Sequence, residues 1–240
     1  MNVYDIKSVK SAVSADPYVG RGIIIGQSAD GKSSAFAYFI MGRSVNSRNR
    51  IFTLEGRTVK TKAFDESKMS DPSLVIYAAV RDAGSATVVT NGDQTDTVCD
   101  GIAAGGSFES ALRTRCFEPD APNLTPRISG ILEQDGSYKM SILKSADAEG
   151  SACNRYFFEF APISGIGHFI HTYVGDGTPI PSFEGEPEKV TLKGDIEQLA
   201  LNTWENLNAD NKVSLYVSFI SLKNGETDTI IINKHDQEEE

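Results

Sequence analysis

The sequence predicts an α+β fold in which antiparallel sheets are covered by a few helices. Three observations carry that expectation. Short apolar runs dominate the chain, three pairs of them are joined by hairpin turns, and only two stretches show helical periodicity, well separated from each other. Hairpin-joined runs pair antiparallel, and scattered helices then cover sheets rather than alternate with strands.

The first hairpin joins the apolar runs 22–26 and 33–41 through Ser28, Ala29, Asp30, Gly31 and Lys32. Residues 58–64 read as a weak strand. Runs 73–80 and 86–90 are short, of the buried type, and should pair. Runs 128–132 and 138–143 flank Gln134-Asp135-Gly136-Ser137, where Asp-Gly supplies the positive φ angles of a tight turn. Residues 155–160 and 168–174 read as strands. The third hairpin joins 213–222 to 229–233 across Asn224-Gly225.

The stretch 96–116 reads as helix, with Thr95 and Asp96 as cap candidates and Gly105-Gly106 predicting a break into two. In 195–207, Ile196, Leu199, Ala200, Thr203, Trp204 and Leu207 recur on one helical face behind an Asp195 cap. Residues 176–187, with Gly, Pro and Glu, read as a loop. The polar end, 235–240, is expected to be disordered. No composition shift forces a boundary, so residues 1–240 are expected to form a single domain.

Composition excludes several classes. At 40% hydrophobic and 23% charged residues the chain is ordinary for a globular protein. Its apolar runs fall short of the roughly 18 residues that cross a bilayer, so no membrane partner is expected. The first ten residues lack a basic segment leading into an apolar one, so no secretory signal is expected. Cys99, Cys116 and Cys153 are odd in number and widely spaced, which argues against a disulfide framework and for a reducing, cytoplasmic setting. A net charge of −10 argues against nucleic acid as a partner. Nine of the ten arginines nevertheless lie at or before Arg127. Arg21, Lys32, Arg43, Arg48 and Arg50 face only Asp30 between Pro17 and Phe52. Guanidinium groups collected in an otherwise acidic chain suit a small anion, although a solvated basic face has the same composition.

Glycine-rich phosphate loops, dinucleotide fingerprints and serine elbows do not occur in the sequence. His168 and His171 are the only close pair of histidines, and i, i+3 positions on a strand point to opposite faces. No metal site and no cofactor are therefore expected. Polar chemistry concentrates instead in three turn segments: 42–50, 90–97 and 123–127. Each also has a bland explanation: a solvated loop, a tight turn with a helix cap, and an extended entry into a strand before Pro126.

Tyr18-Val19-Gly20-Arg21-Gly22, Arg43-Ser44 with Asn49-Arg50, Asn91-Gly92 with Thr95-Asp96-Thr97, and Thr125-Pro126-Arg127-Ile128 follow one another along residues 17–145. In order and approximate spacing this series resembles the archaeal-type IMP cyclohydrolases, a family with bacterial relatives. The family often carries a histidine where Gln94 stands, and residues 145–240 match it poorly. The resemblance implies a four-layer αββα sandwich like that of the N-terminal-nucleophile hydrolases, with antiparallel sheets. It implies a purine mononucleotide as substrate and product: formylaminoimidazole carboxamide ribotide closes to IMP with loss of water, without metal or cofactor. Tyr77 and Glu118 are the implied proton-transfer groups. Arg21, Asn49 and Asn91 are implied to orient the carboxamide or hold the oxyanion. Arg43, Ser44, Arg50 and Arg127 are implied phosphate ligands, with Gly92, Asp93, Thr95, Asp96 and Thr125 completing the substrate pocket. Two other readings stay open: an amidohydrolase acting on another purine-like cyclic amide, and a purine-nucleotide-binding protein without catalysis. Homo-oligomerisation also stays open.

Overall fold

The computed structural model describes residues 4–69 and 72–237. The chain begins with β1 (Lys7–Ser8), α1 (Val9–Val13), β2 (Arg21–Gln27), β3 (Ser33–Met41) and a single turn of helix, α2 (Val45–Arg48). It continues through β4 (Arg50–Glu55), β5 (Thr58–Ala63), β6 (Ala78–Ala83), β7 (Ala86–Thr90), α3 (Gln94–Ala103) and α4 (Phe108–Leu112). Then come β8 (Arg127–Leu132), β9 (Tyr138–Ser145), β10 (Cys153–Phe160), β11 (Ile166–His171) and β12 (Glu188–Thr191). The last elements are α5 (Ile196–Trp204), β13 (Lys212–Ser221), β14 (Thr227–Asn233) and α6 (Lys234–Gln237).

The strands form two sheets, in the orders β1-β12-β11-β2-β3-β13-β14 and β10-β9-β8-β7-β6-β5-β4. The β1–β12 pair is parallel and the other ladders are antiparallel. The fold is therefore α+β with two mostly antiparallel sheets and few helices. No helix among the described residues is long and apolar enough to cross a membrane.

The central strands β2 and β7 are buried along their whole length, without polar alternation. The reason is that apolar matter covers both of their faces. Ile23, Ile25, Phe36, Tyr38 and Ile40 pack against Phe52, Val80, Ile128, Tyr138 and Met140 of the other sheet. Ile24, Ala37 and Phe39 face α1 and α5 through Val13, Leu199, Ala200 and Trp204. On the far side, Val88, Ile131 and Leu143 receive Val98, Phe108 and Leu112 of α3 and α4. Each fully buried aliphatic or aromatic side chain contributes on the order of 1.5–3 kcal/mol. The sheets approach so closely that a Cβ on Gly130 would lie 2.4 Å from Ile25 Cδ1. A larger residue there requires the Ile25 side chain to shift.

Several local expectations change. The run 73–80 does not form one strand: Val75 and Ile76 donate back to Pro72 O in a turn, and β6 starts only at Ala78. The stretch 96–116 does break at Gly105-Gly106, but α3 starts earlier, with Asp93 at its cap position and no side-chain cap bond. The Asp93 carboxylate is drawn away by Arg115 at 2.6 Å and Arg127 at 2.8 Å. The segment after Arg43 forms α2 through a Ser44/Ser47 capping box, and Arg50–Glu55 is a strand the pattern did not announce. At the polar end, Lys234–Gln237 is a helical turn with His235 stacked on Phe64. The remainder of that segment lies outside the described residues.

Strand β4 is the outermost of its sheet, and Asn233, at the end of β14 in the other sheet, meets it. Phe52 N donates to Asn233 Oδ1 at 2.8 Å, and Asn233 Nδ2 donates to Phe52 O at 3.2 Å.

Candidate active site

Register decides which residues can meet. Arg21 at the start of β2 pairs with Ile40 near the end of β3, and Gly22 pairs with His171 at the end of β11. In the second sheet, Lys60 pairs with Ala78, and Thr90 pairs with Ser129. The entries of β2, β4, β6 and β8 and the exits of β3, β7 and β11 therefore share one end of the sheet pair. The polar segments of the sequence are the connections at that end. Between α4 and β8 the chain folds Glu118 into the same place, with Glu118 N donating to Thr125 O at 2.9 Å.

What collects there is buried charge. Arg50 is fully buried, as is Glu118 at 1% exposure, with Arg21 and Arg127 nearly so. Arg50 Nε donates to Ser47 O at 2.8 Å, but both of its Nη atoms are buried without a partner. Arg21 Nε, Arg127 Nε and Glu118 Oε1 are likewise buried and unpartnered. Arg127 Nη1 is held by Gln94 Oε1 at 2.6 Å. Gln94 is itself fixed, donating to Asn91 Oδ1 at 2.9 Å. A Cβ on Gly92 would lie 2.5 Å from Arg127 Nη1 and 3.5 Å from Glu118 Oε1, so the guanidinium needs a glycine beside it.

The electrostatics follow. Burial pushes the Glu118 carboxyl up to about 7, against the pull of Arg21 and Arg127. Burial, and then the neighbouring Arg21, push Arg50 below the ordinary arginine value. Burial acts the same way on Arg21, but Glu118 and the phenols of Tyr18, Tyr173 and Tyr77 outweigh it and hold Arg21 above that value. Burying a guanidinium costs several kcal/mol unless an opposite charge compensates it. Here the arginines outnumber the carboxylates enclosed with them, an arrangement that suits an anion.

Tyrosines complete the wall. Tyr77 Oη lies 2.7 Å from Tyr38 Oη. The Tyr173 hydroxyl meets Thr125 Oγ1, which also bonds the Asp120 carboxylate. The Tyr18 and Tyr173 rings stack at 5.9 Å, and Arg43 lies 5.1 Å over Tyr18.

The structure thus brings together Arg21, Arg50, Tyr77, Gly92, Glu118, Thr125 and Arg127, with Asp93 bonded to Arg127 from a more exposed position. Arg43 sits at the rim, bonded to Asp176 and to Gly177 O. Ser44 caps α2. Asn49 uses its amide on the backbone of Asp65, and Asn91 uses its own on Pro126 O and Ile128 N. Thr95 bonds Thr90, and Asp96 pairs with Arg81 on the outer side. Tyr38, Gln94, Asp120 and Tyr173 belong to the cluster without having been singled out as site residues by sequence. Tyr38 was hidden in an apolar run, while Gln94 stood beside a quoted motif. The two histidines are engaged separately, His168 Nδ1 with Tyr138 Oη at 2.7 Å and His171 Nδ1 with Tyr173 O at 2.7 Å.

Comparison with known proteins bears on this cluster. A family model described as IMP cyclohydrolase-like protein matches residues 18–226, which carry every member of the cluster. The chain belongs to this family. Among family relatives, the IMP cyclohydrolase of Halobacterium salinarum is 33% identical over 135 residues, 55% of this chain and 64% of the relative. That of Methanococcus maripaludis is 30% identical over 126 residues, 50% of this chain and 61% of the relative. That of Methanopyrus kandleri is 30% identical over 169 residues, 69% of this chain and 79% of the relative. The chain thus spans less than two thirds of the length of the first two relatives.

Proposed function

We propose that this chain is an IMP cyclohydrolase, closing formylaminoimidazole carboxamide ribotide to IMP and water. One observation carries the reading: Arg21, Arg50, Arg127 and Glu118 hold buried, unpartnered polar atoms, and the charges of the three arginines all act on Glu118. A phosphorylated, amide-rich nucleotide offers the anion and the hydrogen-bonding groups that this cluster lacks. The family relatives carry the same activity in their names.

The reaction needs three things. The carboxamide nitrogen must lose a proton as it attacks the formyl carbon. The formyl oxygen must be stabilised as it gains charge. That oxygen must then be protonated to leave as water. Both reacting groups sit on one imidazole ring, so the protein mainly fixes their rotamer. Glu118, titrating near 7, is the base: it is ionised often enough to accept the amide proton and basic enough to hold it. Arg21 is the oxyanion donor, being the guanidinium whose charge Glu118 feels most strongly. Glu118 returns the carboxamide proton to the oxyanion, giving a hydroxyl. Tyr77 gives its own proton to that hydroxyl, which leaves as water, and the tyrosinate takes up the proton that the formamido N–H releases as the C=N bond forms. Arg50 and Arg127 hold the phosphate, with Arg43 and Ser44 at the entrance and Gly92, Asp93 and Thr125 lining the approach. Asn49, Asn91, Thr95 and Asp96 shape the loops that hold these groups.

The three apolar clusters support a four-layer αββα sandwich of the N-terminal-nucleophile hydrolase type, built as one domain. In that arrangement the site lies where the two inner layers open. The deciding experiment is turnover of the formylated ribotide, followed by IMP absorbance, in wild type and Glu118→Gln. IMP formation by the wild type alone supports the reading. IMP binding without turnover by either protein leaves a nucleotide-binding protein, and hydrolysis of other cyclic amides instead points to an amidohydrolase.

A further inference from the structure

Tyr38 lies within β3, among the side chains that pack the two sheets together, and it is fully buried. Its ring is set against Phe52 at 5.5 Å. Phenylalanine would satisfy that packing. The hydroxyl instead crosses the sheet interface to meet Tyr77 Oη at 2.7 Å. Arg21 and Arg50 act on both phenols, so the pair sits against the cluster of buried charge.

Two hydroxyls at this distance share one hydrogen bond, in which one donates and the other accepts. Tyr38 is the more enclosed, at 0% exposure against 7% for Tyr77. Burial first, and the facing Tyr77 second, keep its proton in place well above the ordinary phenol value. Donation from Tyr38 occupies a lone pair of the Tyr77 oxygen and leaves the Tyr77 O–H free to point elsewhere. The Tyr77 phenol acts on both Arg21 and Arg50, so the buried cluster lies within its reach.

We propose that Tyr38 is a positioning residue: it donates its hydrogen bond to Tyr77 and so aims the Tyr77 O–H at the oxygen that leaves as water. This rests on the reading of Tyr77 as the proton donor. A purely structural tyrosine pair would move stability when broken, but not the catalytic step.

The test compares wild type, Tyr38→Phe, Tyr77→Phe and the double variant, measuring kcat, KM and Tm with the formylated ribotide. Tyr77→Phe should lose about 10²–10⁴-fold in kcat. Tyr38→Phe should lose about 10-fold in kcat, the size of one neutral hydrogen bond, with KM within about twofold. The double variant should be no slower than Tyr77→Phe, because Tyr38 acts only through Tyr77. Wild-type turnover by Tyr77→Phe removes the reading of Tyr77 and this proposal with it. An impaired Tyr77→Phe beside a wild-type Tyr38→Phe, or losses that multiply in the double variant, overturns this proposal alone. Should Tyr38→Phe fail to fold, a crystal structure of the wild type with IMP decides. Tyr77 Oη should reach the purine while Tyr38 Oη touches only Tyr77, and a Tyr38 hydroxyl bonded to the nucleotide overturns the assignment.

Discussion

The two ends of the sheet pair differ in how they treat charge. At the hairpin end, a cavity of about 230 Å³ opens between the sheets, lined by Phe36, Val80, Asp82, Tyr216 and Arg57 among others. Its arginine is matched: Arg57 Nε donates to Asp82 Oδ2 at 2.5 Å, and Arg57 Nη1 donates to Thr227 Oγ1 at 3.1 Å. At the opposite end the guanidinium groups of Arg21 and Arg50 are buried with unpartnered nitrogens. This cavity therefore does not coincide with the buried charge. A paired, half-exposed arginine tells little about function, because water and its partner already satisfy it. A buried, unmatched one is costly to maintain and marks the end where a ligand compensates it.

The sharpest contrast between the ends comes from Glu118→Gln, which should lower kcat about 10²–10⁴-fold. The corresponding change at the other end, Asp82→Asn, should leave kcat at the wild-type level. Glu118→Gln should also stabilise the fold, and the sign follows from linkage. The unfolded carboxyl ionises near 4.5, while the folded one holds its proton to about 7. Folded protein thus binds the extra proton between these values, and wild-type stability falls as pH rises across that window. Glutamine has no such proton to lose. Urea unfolding should find the variant more stable above about pH 7, by on the order of 3 kcal/mol, and the difference should vanish at pH 4. Equal stability at both pH values would mean that the carboxylate is compensated in place.

Next in size is Arg50→Ala, which should weaken IMP binding in calorimetry about 10- to 100-fold, since a charged hydrogen bond contributes roughly 1.5–3 kcal/mol. Unchanged affinity would move the phosphate to Arg127 and the rim. The pH dependence of wild-type turnover tests the assignment of roles: activity should fall as pH drops through about 7, because Glu118 gains the proton that disables it as a base. Loss of activity on the alkaline side of 7 instead would make Glu118 the acid. The smallest effect belongs to the hairpin end. Arg57→Ala should cost at most about 1 kcal/mol in unfolding experiments, because its pair with Asp82 is exposed to solvent and screened.

Much of the fold was legible in the sequence where local chemistry dictates geometry. Asp135-Gly136 and Asn224-Gly225 each join the strands expected of them, and Gly105-Gly106 separates α3 from α4. The stripe from Ile196 to Trp204 folds as α5 behind an Asp195 side chain that accepts from Gln198 N, and Leu207 lies past the end of the helix. What was illegible depends on distant partners. Thr95 and Asp96 were the cap candidates, but α3 starts before them, with Asp93 at the cap position and its carboxylate claimed by arginines at 115 and 127. Strand β4 was hidden because Arg50 opens it and its alternation fails: Phe52 is buried, while Leu54, two residues on, is exposed. The motif residues around 21, 50, 91 and 127 could be picked out by type and order. That buried nitrogens of Arg21, Arg50 and Arg127 are left without partners could not, since it follows from the register of two sheets that no local pattern encodes. The same holds for Tyr38: among Phe36, Ala37 and Phe39 its hydroxyl has no local reason to exist.

The bond between Asn233 and strand β4 has a consequence for self-association. An outermost strand presents free peptide groups, which makes it a template for adding a strand from another molecule. Here a side-chain amide meets the N–H and C=O of Phe52, the same two groups that an incoming strand would need. The sheet is terminated by a plug drawn from its own chain. An added strand would have to displace Asn233 from both groups before it could extend the sheet at that position.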